Sequence, residues 1–434
     1  MSAIDLGDVT AGPAQAPEPP MYSRGFLQAA LAVLTVLGLS AIAASERAGP
    51  SRLLRPLWSI AMTDLSQFSI SGGTLFVLNN GWDVTAYALT DGRMRWSSRL
   101  SEHTEMATDD LGSLLVPSGY TRITKENAEG YGRLDTATAA TLALDPTTGI
   151  QRWQVSGATG YRDAGTALLV EADPQGGRPK MFREVRITDG AVLWAHPAGH
   201  PQYWLAGAGH LVTVGDDGRA EVSGLADGTA VSRGPLPLSR KELSAGVVAE
   251  VDATALYLKR NEGGRLIVRA FDLATLRPSW SVDGGATARE AHLCGGVMCL
   301  SDGTATSAFD LDSGRLRWRA PGWIHADTVT GGRLLAERAL STGEGLLDAA
   351  TGALVADLGS VYPVWDAAAG TPTFLLRDTV RPPGRTAVLR LDSRSGSRRL
   401  QGSIEGLPVK PCVAVQDRLI CKTTTGMLTV VAVA

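Results

Sequence analysis

The sequence predicts an all-β fold, a propeller of eight or nine four-stranded blades, and three observations predict it. The first is a hairpin read most clearly at Ala308–Ala320. There Phe309 and Leu311 alternate with Ala308 and Asp310, and Gly314 supplies the positive φ of a tight turn. Leu316 and Trp318 then share one face, with Arg315, Arg317 and Arg319 on the other, the period of a half-buried strand. The second is repetition of that hairpin at intervals near 40 residues. The third is a pair of unfinished ends, a lone strand near the start and strands without a fourth partner at the close.

In the repeats a tryptophan follows the turn glycine by four residues: Gly92 and Trp96, Gly149 and Trp153, Gly190 and Trp194, Gly314 and Trp318. Leu276 holds the glycine's place before Trp280. Weaker copies end at Gly228, Gly352 and Gly396, with Ser232, Ala356 and Leu400 where the tryptophan would stand. The turn positions 92, 149, 190, 228, 276, 314, 352 and 396 are 57, 41, 38, 48, 38, 38 and 44 residues apart. Repeats of this length made of strands and turns signal propeller blades, because helical solenoids would show a 3.6-residue period. A single blade cannot bury both faces, so the blades must stack into a ring.

The motif Leu-Asp-x-x-Thr-Gly-x-x-x-Trp, fitted best by Leu144–Gly149 and Leu347–Gly352, resembles the PQQ-like (quinoprotein-type) β-propeller repeat. Quinoprotein alcohol dehydrogenases and BamB-type scaffold propellers share that repeat, and here it covers roughly residues 55–434. The resemblance implies the fold and leaves the activity open. For the dehydrogenases it implies adjacent cysteines over a quinone and a Glu/Asn/Asp set on calcium. No Cys-Cys dipeptide occurs, and no positions match the calcium set, so no cofactor, metal ligand or catalytic residue is assigned.

Taken in order, residues 1–24 read as a polar, proline-rich disordered tail. Residues 25–45 form an uncharged run rich in Leu, Ala and Val, long enough to cross a bilayer as one helix. The alternative is a cleaved signal peptide with apolar core Phe26–Leu39, and Met21 is an alternative start that would give it a short n-region. Arg47, Arg52 and Arg55 follow the span and Arg24 precedes it, a balance that opposes export, but large following domains translocate regardless. After a linker at 46–54 the propeller runs over 55–434, starting with Leu57–Ile60 around Trp58 as a lone fourth strand. Val413–Ile420 and Gly426–Val433 lack a fourth strand, so the two ends together make one composite blade that closes the ring.

The four cysteines argue for an oxidising compartment. A turn at Gln416-Asp417 sets Cys412 opposite Cys421, and one at Gly296-Val297 does the same for Cys294 and Cys299; buried free thiols are the alternative. The 57-residue interval carries an irregular insert, Ser118–Arg133, whose Tyr120, Arg122, Lys125, Glu126 and Tyr131 suit a partner-contact loop or else a bare hairpin extension. Shorter excursions occur at Arg233–Glu242 and Asp378–Arg385. His196 and His200 are separated by Pro197 and Gly199, which rules out a shared helical face. Gly215–Gly218 and Asp310–Gly314 look like hairpin turns rather than calcium loops.

A net charge of −3, with 41 basic and 44 acidic residues and no basic run interleaved with aromatics, gives no nucleic-acid footprint. The sequence therefore describes a non-catalytic, monomeric propeller, anchored in the cell membrane by one N-terminal helix and exposed outside the cytoplasm. It would serve as a scaffold for a protein or cell-envelope partner. The competing classes are secretion after signal cleavage, a quinoprotein-like oxidoreductase, and a sensor with a small ligand in the funnel.

Overall fold

The computed structural model describes residues 52–433, apart from 64–65, 81–82, 101–106, 109–113, 127–131, 164, 175–176, 240–241, 243–247, 368–369, 381–382, 406–411 and 424. The span expected at 25–45 lies outside these residues, and no helix among the described residues is long and apolar enough to cross a membrane.

The chain forms nine antiparallel sheets of four strands, a to d in sequence order. Blade 1 comprises β2 (Gln67–Ser71), β3 (Thr74–Asn79), β4 (Asp83–Ala88) and β5 (Met94–Arg99). Blade 2 comprises β6 (Ala107–Thr108), β7 (Leu114–Glu126), β8 (Gly132–Leu144) and β9 (Gln151–Ser156). Blade 3 is β10 (Ala158–Asp163), β11 (Thr166–Ala172), β12 (Pro179–Arg186) and β13 (Val192–Pro197), and blade 4 is β14 (Tyr203–Gly207), β15 (His210–Val214), β16 (Arg219–Gly224) and β17 (Ala230–Pro235). Blade 5 follows with β18 (Val248–Val251), β19 (Ala255–Glu262), β20 (Arg265–Asp272) and β21 (Pro278–Asp283), then blade 6 with β22 (Glu290–Cys294), β23 (Val297–Ser301), β24 (Ala305–Asp310) and β25 (Leu316–Pro321). Blade 7 holds β26 (Trp323–Val329), β27 (Arg333–Arg338), β28 (Glu344–Asp348) and β29 (Leu354–Gly359), and blade 8 holds β30 (Tyr362–Trp365), β31 (Pro372–Asp378), β32 (Arg385–Leu391) and β33 (Arg398–Glu405). Blade 9 joins β34 (Cys412–Val415), β35 (Arg418–Lys422) and β36 (Met427–Ala432) to β1 (Pro56–Ala61), with Trp58 opposite Val430. The composite blade therefore exists, and the blade number is nine. Residues 52–54, read from the sequence as the end of a linker, lie against β33: the Leu54 amide donates to the Ser403 carbonyl at 2.8 Å, and Leu54 is buried.

The core is divided among the seams between blades. Each of nine buried clusters lies at one seam, from Phe76, Trp96 and Leu114 between blades 1 and 2 to Leu75, Ile420 and Val430 between blades 9 and 1. The last of these closes the circle. First strands of neighbouring blades touch, β10 against β14, β14 against β18, β22 against β26 and β30 against β34, so the a strands line the centre.

The tryptophans stitch these seams in a way the hairpin motif does not reveal. Each docks on the turn glycine of the following blade: Trp58 under Gly92, Trp96 under Gly149, Trp153 under Gly190, Trp194 under Gly228, Trp280 under Gly314 and Trp318 under Gly352. A Cβ on any of these glycines would come within 2.5–2.8 Å of the ring, and each sits at φ between +66° and +72°. Each indole nitrogen also donates to a carbonyl in that turn, as Trp153 does to Ile187 at 2.7 Å and Trp280 to Leu311 at 2.6 Å. At these six turns glycine accommodates the preceding blade's tryptophan, whereas Gly396 packs on Ala356 of a preceding blade that offers no tryptophan there. Gly228 and Gly352 are kept although Ser232 and Ala356 follow them. Leu276 replaces glycine, at φ +53°, and there the preceding blade offers Ser232, whose hydroxyl donates to the Leu273 carbonyl at 2.5 Å.

Both disulfides tie an a strand to its b strand. In blade 9 Cys412 pairs with Cys421, Val413 with Ile420 and Val415 with Arg418, around Gln416-Asp417. In blade 6 the turn is Gly295-Gly296, not Gly296-Val297, so Cys294 faces Val297 and Cys299 faces His292. The slip is by two places in the pairing, which keeps both sulfurs on one side of the sheet and leaves the bridge diagonal, with Cα atoms 5.9 Å apart.

Candidate functional site

An antiparallel blade sends its a–b and c–d turns to one face of the ring and its b–c loops and d–a connections to the other. The c–d face is uniform. Asp145 accepts the amides of Thr147 and Thr148 at 2.8 and 2.9 Å, and Asp310 and Asp348 make the same turn. The Arg152 guanidinium, with the Thr148 amide, holds the Asp145 carboxyl down at about 2, and the Ser313 hydroxyl and Arg317 hold Asp310 at about 2. These carboxylates shape the turns. Gly215–Gly218 is likewise a turn, in which Asp217 accepts the Arg219 amide at 3.0 Å.

The b–c face carries the differences between blades. The insert expected to be irregular is a regular ribbon: β7 and β8 stay paired from Leu114↔Leu144 out to Glu126↔Gly132. β6 pairs only with Leu114 and Leu115, and β9 reaches only to Ala140, so among the described residues no third strand flanks the ribbon from Tyr120↔Thr138 outward. At about 3.4 Å per residue, the eight steps from Ser118 to Glu126 extend it roughly 27 Å. Tyr120 lies opposite Thr138, Arg122 opposite Thr136 and Lys125 opposite Arg133, while Tyr131 falls outside the described residues.

On the same face two cavities flank the inner strands of blades 5 to 8. One, of about 600 Å³, lies between blades 5 and 6 and is lined by Glu242, Glu250, Lys259, Arg289, Glu290 and His292 among others. The Arg233–Glu242 excursion forms part of its wall. Lys259 is buried and donates to Glu250 at 2.5 Å; the other Glu250 oxygen accepts the Leu293 amide of the next blade at 2.6 Å. His292 Nε2 lies 2.9 Å from the Ala326 carbonyl, which can only accept, so that nitrogen carries the proton. The second cavity, of about 440 Å³, lies between blades 7 and 8. Glu290 and His325, 2.5 Å apart, form the wall between the two. None of these residues stood out in the sequence, because each is an isolated polar residue on a strand until the ring brings the strands together.

The arrangement links blades 5, 6 and 7 through Glu250, His292 and His325. Among the described residues no group of three or more His, Cys, Asp or Glu side chains stands close enough to hold a metal ion. The disulfides do not fit a quinone either. Cys294, Cys299 and Cys421 are no more than 1% exposed and packed in seam clusters, so their sulfurs present no face to a bound ring. His196 stacks on Trp194 at 5.4 Å, and His200 lies 3.6 Å from Asp173; they serve different neighbours.

Residues 55–205 match the family model described as outer membrane protein assembly factor BamB. None of the curated proteins matches the chain in sequence. Among solved structures, BamB from Moraxella catarrhalis is 15% identical with a TM-score of 0.43, over 88% of this chain and all of that one. The computationally designed Ika8 protein is 10% identical with a TM-score of 0.42, over 81% of this chain and 99% of that one. A eukaryotic initiation factor is 10% identical with a TM-score of 0.49, over 84% of this chain and 93% of that one. The nine four-stranded sheets make the chain a β-propeller, and the family match over residues 55–205, with the seam tryptophans and the repeat motif, supports its likeness to the PQQ-like propellers.

Proposed function

We propose that this propeller is a non-catalytic protein-interaction module that presents its b–c face to a partner at the cell envelope, tethered by residues 25–45 with the ring outside the cytoplasm. The observation that carries the reading is the ribbon beyond Tyr120 and Thr138: it extends one blade past the reach of the paired flanking strands. A two-stranded ribbon is marginal by itself in water, and its two edges offer unpaired amides and carbonyls to an added strand. The rigid ring would hold this arm at a fixed angle to the neighbouring loops. The two disulfides support an oxidising compartment.

The test is crosslinking in native membranes with the full chain and with a deletion of Tyr120–Thr138 closed by Asn-Gly. We expect a discrete partner to be captured by the full chain and lost on deletion, with the melting temperature unchanged. Equal capture by both would remove the arm as the contact, and no capture by either would count against the interaction role. Non-reducing mass spectrometry of the exported chain bears on the location, since free thiols at Cys294 and Cys412 would contradict it.

A further inference from the structure

The seam between blades 3 and 4 holds a carboxyl group where other seams hold a methyl. Trp96, Trp153, Trp280 and Trp318 stand opposite Ala86, Ala143, Ala270 and Ala308 on the c strand of their own blade, and each alanine is fully buried. Trp194 stands opposite Glu184 instead. Glu184 shares its sheet face with Phe182 and Trp194, which pack with Leu211 and Leu225 of blade 4, and it is 3% exposed. It accepts a bond from the Thr166 side chain, but its Oε2 is buried without a hydrogen-bond partner among the described residues.

The charged groups around it offer no counter-ion among the described residues. Asp163, at the end of β10, adds a second carboxylate. Arg186, two residues on, is bonded to Asp189 at 2.7 Å, and across the seam Arg233 is bonded to Glu221 at 2.9 Å. Asp227 of blade 4 accepts the Thr229 amide in its own turn, and His196 stacks on Trp194. Tyr161 crosses the seam, where its hydroxyl accepts the Ala208 amide of blade 4. A seam closed over an unbalanced carboxylate favours the neutral acid, and burial pushes the Glu184 carboxyl above its ordinary range. We propose that the seam between blades 3 and 4 is a proton-operated joint, closed while Glu184 carries its proton and loosened once the proton leaves. The closed seam holds that proton more tightly than the open one. Opening therefore becomes more frequent as pH rises above about 4.5 and levels off beyond the folded value. The seams with alanine opposite the tryptophan lack the group, so acidity adjusts one joint of the ring, independently of any partner on the arm.

Hydrogen–deuterium exchange of the full chain in detergent, read by mass spectrometry at about pH 4.5 and about pH 7.5 and corrected for intrinsic rates, tests the joint. β11 and β15, which supply Leu168 and Leu211 to the seam, should exchange at least about threefold faster at the higher pH. β19 and β23, which supply Tyr257 and Met298 to the seam between blades 5 and 6, should keep their rates. Glu184→Gln should hold β11 and β15 at the slow rate at both pH values. Glu184→Ala, which matches the other tryptophan seams, should do the same and serves if the glutamine variant fails to fold. A difference that persists in the folded variants, appears equally in β19 and β23, or is absent from the wild-type chain overturns the proposal.

Discussion

Replacing Gly314 by alanine probes the contact on which the ring's seams depend. The new Cβ would lie 2.8 Å from Cδ2 and 2.9 Å from Cγ of Trp280, and the backbone would remain at φ +66°. Left-handed backbone costs alanine about 1 kcal/mol. Displacing the indole breaks its 2.6 Å bond to the Leu311 carbonyl, about 1 kcal/mol more. It also loosens the Trp280–Tyr257 packing, whose rings are 5.7 Å apart, for roughly another 1 kcal/mol. The expected loss is about 3 kcal/mol. Gly303 is the control: φ is +81°, yet nothing lies within 4 Å of an added Cβ, so Gly303→Ala should cost only about 1 kcal/mol. Urea titrations of both variants, compared at a common slope, read the difference directly. If Gly314→Ala loses no more than Gly303→Ala, the tryptophan does not bear on the glycine as described.

The seam between blades 4 and 5 gives a complementary experiment: Ser232→Trp alone should destabilise by overpacking against Leu276, and adding Leu276→Gly should recover about 1 kcal/mol or more in a double-mutant cycle. Glu184 is 3% exposed opposite Leu168 and Trp194, and burial pushes its carboxyl above the ordinary 4.5 despite a bond from Thr166. Because its folded pKa is raised, its stabilising contribution is complete below about 4.5 and lost as pH rises through the folded value. Glu184→Gln should therefore stabilise the chain by about 1 kcal/mol at neutral pH and flatten the thermal-shift profile above pH 5. Cys412→Ala with Cys421→Ala, which opens a bridge spanning nine residues in the closing blade, should cost about 2 kcal/mol by urea titration.

The strands, the blade period and the composite blade were legible because they are local or periodic. Leu316 and Trp318 show their shared face within one strand, and Cys412 and Cys421 show their pairing within one hairpin. The same reasoning misjudged the turn at Cys294, where two glycines in a row allow either of two registers with equal parity. The four-residue spacing links Trp318 to Gly314 in sequence, whereas in the ring Trp318 serves Gly352 and Gly314 receives Trp280. That relation exists only after blades stack. The contact of Glu290 with His325 was hidden for the same reason: they lie on strands of adjacent blades that meet only when the blades stack.

The pairing of β1 with β36 acts as a latch made from the two extremes of the ring, and Ser59 reaches Thr429 across 370 residues of chain. Its second half is the last strand of the ring to be synthesised, so every nascent or truncated chain that stops short of Met427 is an unlatched ring whose final blade exposes a raw edge. Folding must wait for that strand, a long-range contact that slows closure and leaves the open form vulnerable to pairing with a neighbour. Because the extremes already lie side by side, the gene could be cut at a different blade junction and rejoined here, which would move the latch without altering any seam.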